Sequence, residues 1–120
     1  MTAKTWRNRI VKACRAAGTY REYFGPVINT LAEILEQRDK ARELFEESGG
    51  KILVTHTNKI GAENIEQNPA LRLINDLNRD ALAYWRDLGL TPAGLKRIDE
   101  KSMQPKKRNA LAEALRELGA

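Results

Sequence analysis

The sequence predicts a mainly α-helical chain built on a long antiparallel helical hairpin. Two observations carry this. Pro follows a capping residue twice, at Asn68-Pro69 and Thr91-Pro92, and Pro is favoured in a first helical turn, where its missing N–H has no partner to lose. Two long stretches, from Pro26 to about Ser48 and from Pro69 to Leu88, repeat apolar residues every three or four positions, the period of a helix with one buried face. The chain of 120 residues suits one domain. It divides into a basic N-terminal helix over 1–18, a hairpin core over 26–88 with an insert at 51–67, and a basic C-terminal segment over 91–120.

The first helix is expected from Ala3 to Ala17. Trp6, Ile10, Ala13, Cys14 and Ala17 share one stripe, and Gly18 stops it. Lys4, Lys12 and Arg15 fall opposite that stripe, with Arg7 and Arg9 on its margins. Cys14 lies within the apolar stripe and reads as a small core residue. Thr19 to Gly25 is a connection with three aromatics. In the second helix Phe24, Val27, Leu31, Ile34, Arg38, Ala41 and Phe45 make a seam like that of a coiled coil. Arg38 is a cation in that seam. It either fixes the register of packing, projects into a wet channel, or snorkels to the surface on its long stem.

Gly49-Gly50 ends the second helix. Ile52 to Thr57 is rich in β-favouring residues and Asn58 to Gly61 is turn-like, so a hairpin pairing roughly 52–57 with 62–66 is expected. A lone hairpin is marginal in water and needs something to pack on. The third helix, Pro69 to Leu88, has a seam of Ala70, Ile74, Leu77, Ala81, Tyr84 and Leu88, widened by Leu71, Leu73, Leu82 and Trp85. Gly89 closes it. Thr91 caps a short helix over 92–101, in which Gly94 is expected to be a weak point. Residues 102–109 read as a basic linker and Ala110 to Leu118 as a last amphipathic helix.

At about 1.5 Å per residue the two long helices would measure roughly 34 and 30 Å, while a compact chain of this length has a radius of gyration of roughly 14 Å. A thin rod leaves apolar surface uncovered. Self-association through the helical pair is therefore expected, with Leu31, Ile34, Arg38, Leu71, Leu82 and Trp85 as interface candidates and cyclic symmetry if the contact is head-to-tail.

Charge is unevenly distributed. Residues 1–21 carry six bases and no acid, residues 22–50 carry seven acids against three bases, and residues 96–108 are again basic. Acid-free basic segments attract polyanions. The candidate phosphate contacts are Lys4, Arg7, Arg9, Lys12 and Arg15 at one end and Lys96, Arg97, Lys101, Lys106, Lys107 and Arg108 at the other, and the sequence does not rank the two sets. Catalytic groups are sparse. One histidine (His56), one cysteine and two serines cannot supply an ordered triad or a zinc ligand set, and neither G-x-x-x-x-G-K-[ST] nor G-x-G-x-x-G occurs. The expectation is a non-enzyme without cofactor or metal. No apolar run is long enough to cross a membrane, and a single cysteine fits a reducing compartment.

The order of a helix, Gly18-Thr19-Tyr20, an acidic long helix, a polar insert, an Asn-Pro-led long helix, Leu88-Gly89-Leu90-Thr91-Pro92 and a basic tail resembles the small subunit of tailed-phage terminases. The match is strongest over Asn68 to Arg97. The resemblance implies a DNA-packaging adaptor that forms a ring, binds double-stranded viral DNA at the packaging start and regulates a separate large subunit carrying ATPase and nuclease, in the host cytoplasm. Many members carry a small or polar residue followed by Arg soon after Thr-Pro, where this chain has Ala93-Gly94-Leu95-Lys96-Arg97. The alternative is a helix-turn-helix regulator with Gly89-Leu90-Thr91 as the turn and 92–101 as the reading helix.

Overall fold

A computed structural model describes residues 1–99, 115–116 and 118–119. It is mainly helical. Helix α1 spans Ala3–Ala17, and Thr2 caps it by accepting from the Thr5 N–H at 3.3 Å. Gly18 ends it with a φ of 74°, a conformation that costs glycine little. A single 3-10 turn at Glu22–Phe24 leads into helix α2, Gly25–Glu47, with Pro26 in its first turn. Strands β1, Leu53–Thr57, and β2, Glu63–Gln67, pair antiparallel. Helix α3, Pro69–Asp87, follows, and residues 92–99 are again helical. The expected helix over 110–118 lies almost wholly outside the described residues, as do Lys101, Lys106, Lys107 and Arg108.

Helix α2 is the middle element, packed against α1 on one side and α3 on another. The contacts Ser48–Asn68 and Arg38–Asn78 step in opposite directions along α2 and α3, so the two helices run antiparallel. The core joins Ile10 and Cys14 of α1, Ile28, Leu31, Ala32 and Leu35 of α2, and Ala81 and Leu88. Full burial of each Leu or Ile stabilises the fold by about 1.5–3 kcal/mol. The expected single seam on α2 is too narrow: Ile28, Ala32 and Leu35 are buried as well, because α1 covers a second face. On α1, Ala13 is exposed, and Val11 packs at the edge of the core in its place. The radius of gyration is 22.5 Å, well above the compact value of roughly 14 Å.

Asn68 organises the junction between α2, the hairpin and α3. It is 3% exposed. Its side-chain oxygen accepts from the Ala70 N–H at 3.0 Å, capping α3. Its side-chain nitrogen donates to Ser48 Oγ at 3.1 Å and to the Lys51 carbonyl at 2.9 Å. Its backbone N–H donates to the Ile52 carbonyl at 2.8 Å. One amide thus ties the end of α2, the base of the hairpin and the start of α3, with every side-chain hydrogen bond directed at a different segment.

Gly94 corrects the sequence reading. It is buried, and a Cβ there would overlap the Arg86 carbonyl. Its N–H donates to Thr91 Oγ1 at 3.0 Å, and Leu95 N–H donates to the Thr91 carbonyl at 2.9 Å. Glycine is therefore what lets segment 92–99 lie against the end of α3, and the cap at Thr91 starts that segment. Gly89, with a φ of 71°, is approached by Ile98 and Thr19, which brings the same segment to the α1–α2 connection.

Within the chain Arg38 is received by its neighbours. Its guanidinium donates to Asn78 Oδ1 of α3 and to Asp39 Oδ1, both at 3.3 Å, and lies 5.3 Å from the centre of the Trp6 ring of α1. It bridges all three helices of one chain, while its buried Nε has no hydrogen-bond partner among the described residues.

Candidate nucleic-acid interface

The docking of α1 on α2 decides which of its cations face solvent. The Ala3 N–H donates to Glu36 Oε2 at 2.6 Å and the Trp6 indole N–H to Asp39 Oδ2 at 2.7 Å. The Met1 ammonium also reaches Asp39, at 3.2 Å. The Ala3 N–H at the positive end of α1, helped by Lys40, holds Glu36 below the usual carboxylate range. Burial alone would raise Asp39, but the hydrogen bonds from Trp6, the amino terminus and Arg38 outweigh it and leave its pKa lowered. These two acids of α2 pin the apolar side of α1 inward. Burial pushes the Cys14 thiol up, partly offset by Thr19, and Cys14 is a fully buried member of the core.

The opposite side of α1 is the basic stripe. Lys4, Arg7, Arg9, Lys12 and Arg15 are all exposed, and none forms an ion pair among the described residues. Arg7, Lys12 and Arg15 line an open cleft of about 610 Å³ between α1 and the start of α2, floored by Val11 and Ile28 and edged by Asn8, Asn29 and Tyr20. The Arg15 guanidinium stacks 4.8 Å from the Tyr20 ring centre, which orders a long side chain at the mouth of the cleft. A neighbouring hollow of about 210 Å³ shares Arg7 and Asn29 and adds Lys4, with Glu33 on its α2 side. Four cations therefore follow one groove. Arg9 departs from the set: it stands on the other flank of α1, 5.8 Å from the Trp6 ring centre.

Lys96 and Arg97 are exposed on segment 92–99. The hollow beside that segment, about 290 Å³, brings Asp87 and Asp99 together with Arg21. Its mixed charge suits a polyanion less well than the acid-poor groove of α1. Asn8, Asn29 and Tyr20 line the candidate groove and were not singled out in the sequence; the acid-free run around Asn8 was the available signal, and nothing in the spacing of Asn29 on α2 announced it.

The interface candidates separate by burial. Leu31 is fully buried inside the single chain and has no surface for a second copy. Ile34 and Trp85 are half-buried against the chain's own core, and Leu71 is half-buried on α3. Leu82 remains 45% exposed, and Leu73 on α3 and Leu44 on α2 are exposed as well.

Comparison with known families decides the identity. A family model described as phage terminase, small subunit, matches residues 3–115, from the first turn of α1 to beyond segment 92–99. The chain belongs to the phage terminase small-subunit family. Membership gives it a role in phage DNA packaging, in a family whose members are generally non-catalytic adaptors. Comparison with curated proteins and with solved structures gave no match. Among the described residues no helix is long and apolar enough to cross a membrane.

Proposed function

We propose that this terminase small subunit is a phage-encoded, non-enzymatic adaptor of the host cytoplasm that self-assembles into a ring, binds double-stranded viral DNA near the packaging start and regulates a separate large subunit. The observation that supports DNA contact best is the groove of α1, which Lys4, Arg7, Lys12 and Arg15 line without an ion pair among the described residues. Contacts of this kind give affinity and position, whereas sequence reading needs groups aimed at base edges; Asn8 and Asn29 beside the cations have the donor and acceptor pair that can read a base. The exposed Leu73 and Leu82 of α3 and Leu44 of α2 support assembly, since apolar area left in water favours a second copy.

The test is DNA affinity measured across a salt series. The logarithm of the binding constant should fall linearly with that of salt, with a slope of about −0.9 per phosphate neutralised. Replacing Arg7, Lys12 and Arg15 together by Ala should flatten the slope by about 2–3 per protomer. A slope near zero, or one unchanged in the triple variant, would remove the groove as the DNA surface.

A second reading rests on segment 92–99, which follows α3 after a short turn, starts on the Thr91 cap and exposes Lys96 and Arg97. As a helix-turn-helix regulator the protein would bind a palindromic duplex as a dimer, and changing Lys96 and Arg97 would relax its sequence preference while the α1 variants bound normally.

A further inference from the structure

Among the described elements the β-hairpin stands apart from the helices: its substantial packing is of one strand on the other. Leu53, Ile65 and the tip residue Ile60 are 59%, 75% and 91% exposed. Two strands with both faces in water are marginal on their own, yet this pair has a continuous one-to-one register with no bulge.

The hydrogen-bond phase shows what the outer edges offer. Asn68 N–H donates to the Ile52 carbonyl and Asn58 N–H to the Ala62 carbonyl. In an antiparallel ladder, bonded pairs alternate with pairs whose N–H and C=O groups point away from each other. The bonded pairs are therefore Val54–Glu66 and His56–Asn64. Leu53, Thr55 and Thr57 turn their backbone groups out along one edge, and Glu63, Ile65 and Gln67 along the other. Each edge offers three residues to a further strand, and among the described residues no segment takes them. Neither strand carries the Pro, lysine or bulge that usually blunts such an edge.

Charge selects the partner. The β1 arm from Lys51 to Lys59 contains Lys51, His56 and Lys59 and no acid, while β2 contains Glu63 and Glu66 and no base. None of these lysines and glutamates is in an ion pair among the described residues. We infer that the two hairpin edges are the joint between copies of this chain: β2 of one copy pairs antiparallel with β1 of the next. Like edges would set lysines against lysines or glutamates against glutamates, so the contact is head-to-tail. Repetition by one rotation closes it into a ring of alternating β1 and β2 strands. Leu53 and Ile65 lie on one face of the hairpin, so in that ring they form a shared apolar band. This rests on the proposed self-assembly and assigns it a surface other than the exposed leucines of α2 and α3.

The experiment uses proline at outward-facing positions. Thr55→Pro removes an outer-edge donor of β1, and Ile65→Pro one of β2, without deleting a bond between the two strands. The mass of each full-length variant is measured by sedimentation, with far-UV circular dichroism checking that the helices persist. Each variant alone is expected to shift to a monomer. Mixed in equal amounts they should form a dimer and nothing larger, because only one compatible edge pair survives. As a second set, Glu63→Lys with Glu66→Lys should weaken self-association roughly tenfold, and mixing with Lys51→Glu, Lys59→Glu protein should restore it. If the wild type assembles and all variants match it, the hairpin joint is wrong while self-assembly stands. Monomeric wild type at high micromolar concentration would overturn both. Unchanged assembly with lost DNA affinity in the hairpin variants would assign the hairpin to nucleic acid instead.

Discussion

Replacing Asn68 separates two roles that a simpler reading would merge. As a helix cap alone, the Asn68 oxygen on the Ala70 N–H contributes about 1 kcal/mol, and Asp at that position would serve equally well or better at the positive end of α3. The structure gives the side-chain nitrogen two further tasks, donating to Ser48 Oγ and to the Lys51 carbonyl from a site that is 3% exposed. Each such bond contributes about 0.5–1.5 kcal/mol net, and a buried acceptor left without its donor costs about 1–3 kcal/mol. Asn68→Ala loses the cap and both donors and should cost about 2–4 kcal/mol. Asn68→Asp keeps the cap but sets a carboxylate against the Lys51 carbonyl, and should still cost about 2 kcal/mol. Urea denaturation at one fixed protein concentration, monitored by circular dichroism, measures both. An Asp variant within about 0.5 kcal/mol of the wild type, a difference typical of a neutral surface change, would refute the three-way tie and leave Asn68 as a cap only.

Gly94→Ala should be destabilising by about 1–3 kcal/mol, since its Cβ meets the backbone carbonyl of Arg86; the expected outcome is a lower thermal midpoint with segment 92–99 released to limited proteolysis first. Arg38→Met should cost about 1–3 kcal/mol, because Asn78 Oδ1 and the part-buried Asp39 carboxylate lose a shared donor; chemical denaturation of the two proteins side by side checks this. Acid should weaken the docking of α1. Glu36 and Asp39 have lowered pKa values in the folded chain, so their contribution is present above the ordinary carboxylate range of about 4. It is lost as pH falls through their folded values. Stability measured from pH 7 to pH 2 should decline at the acid end, and Asp39→Asn should flatten that decline.

The local punctuation of the chain was legible because each signal acts over a few residues. Gly18 and the Ala3–Ala17 stripe placed α1, Asn68-Pro69 placed the start of α3, and the β-branched run before Asn58 placed the hairpin within a residue or two. What escaped depends on contacts between distant segments. A seam at spacings of three and four finds one partner of a helix, and α2 has two, so Ile28, Ala32 and Leu35 were passed over. Helix propensity marks Gly94 as weak, whereas close approach to Arg86 makes its missing side chain the useful property. The sequence left the role of Arg38 open among three alternatives because Trp6 and Asn78, which receive it, lie far away in sequence. At the candidate site the cations were visible one by one. The groove that aligns Lys4, Arg7, Lys12 and Arg15 and sets Arg9 apart required α1 to be docked on α2.

Lysine accessibility tests the central claim, that duplex DNA lies along the groove of α1, most directly. The full chain is acetylated with and without a duplex at low salt, and modification at each lysine is compared by mass spectrometry. Lys4 and Lys12 should be protected by DNA, while Lys59 at the hairpin tip keeps its reactivity. Protection of Lys96 with Lys4 and Lys12 unchanged would contradict the account and move the DNA surface to segment 92–99.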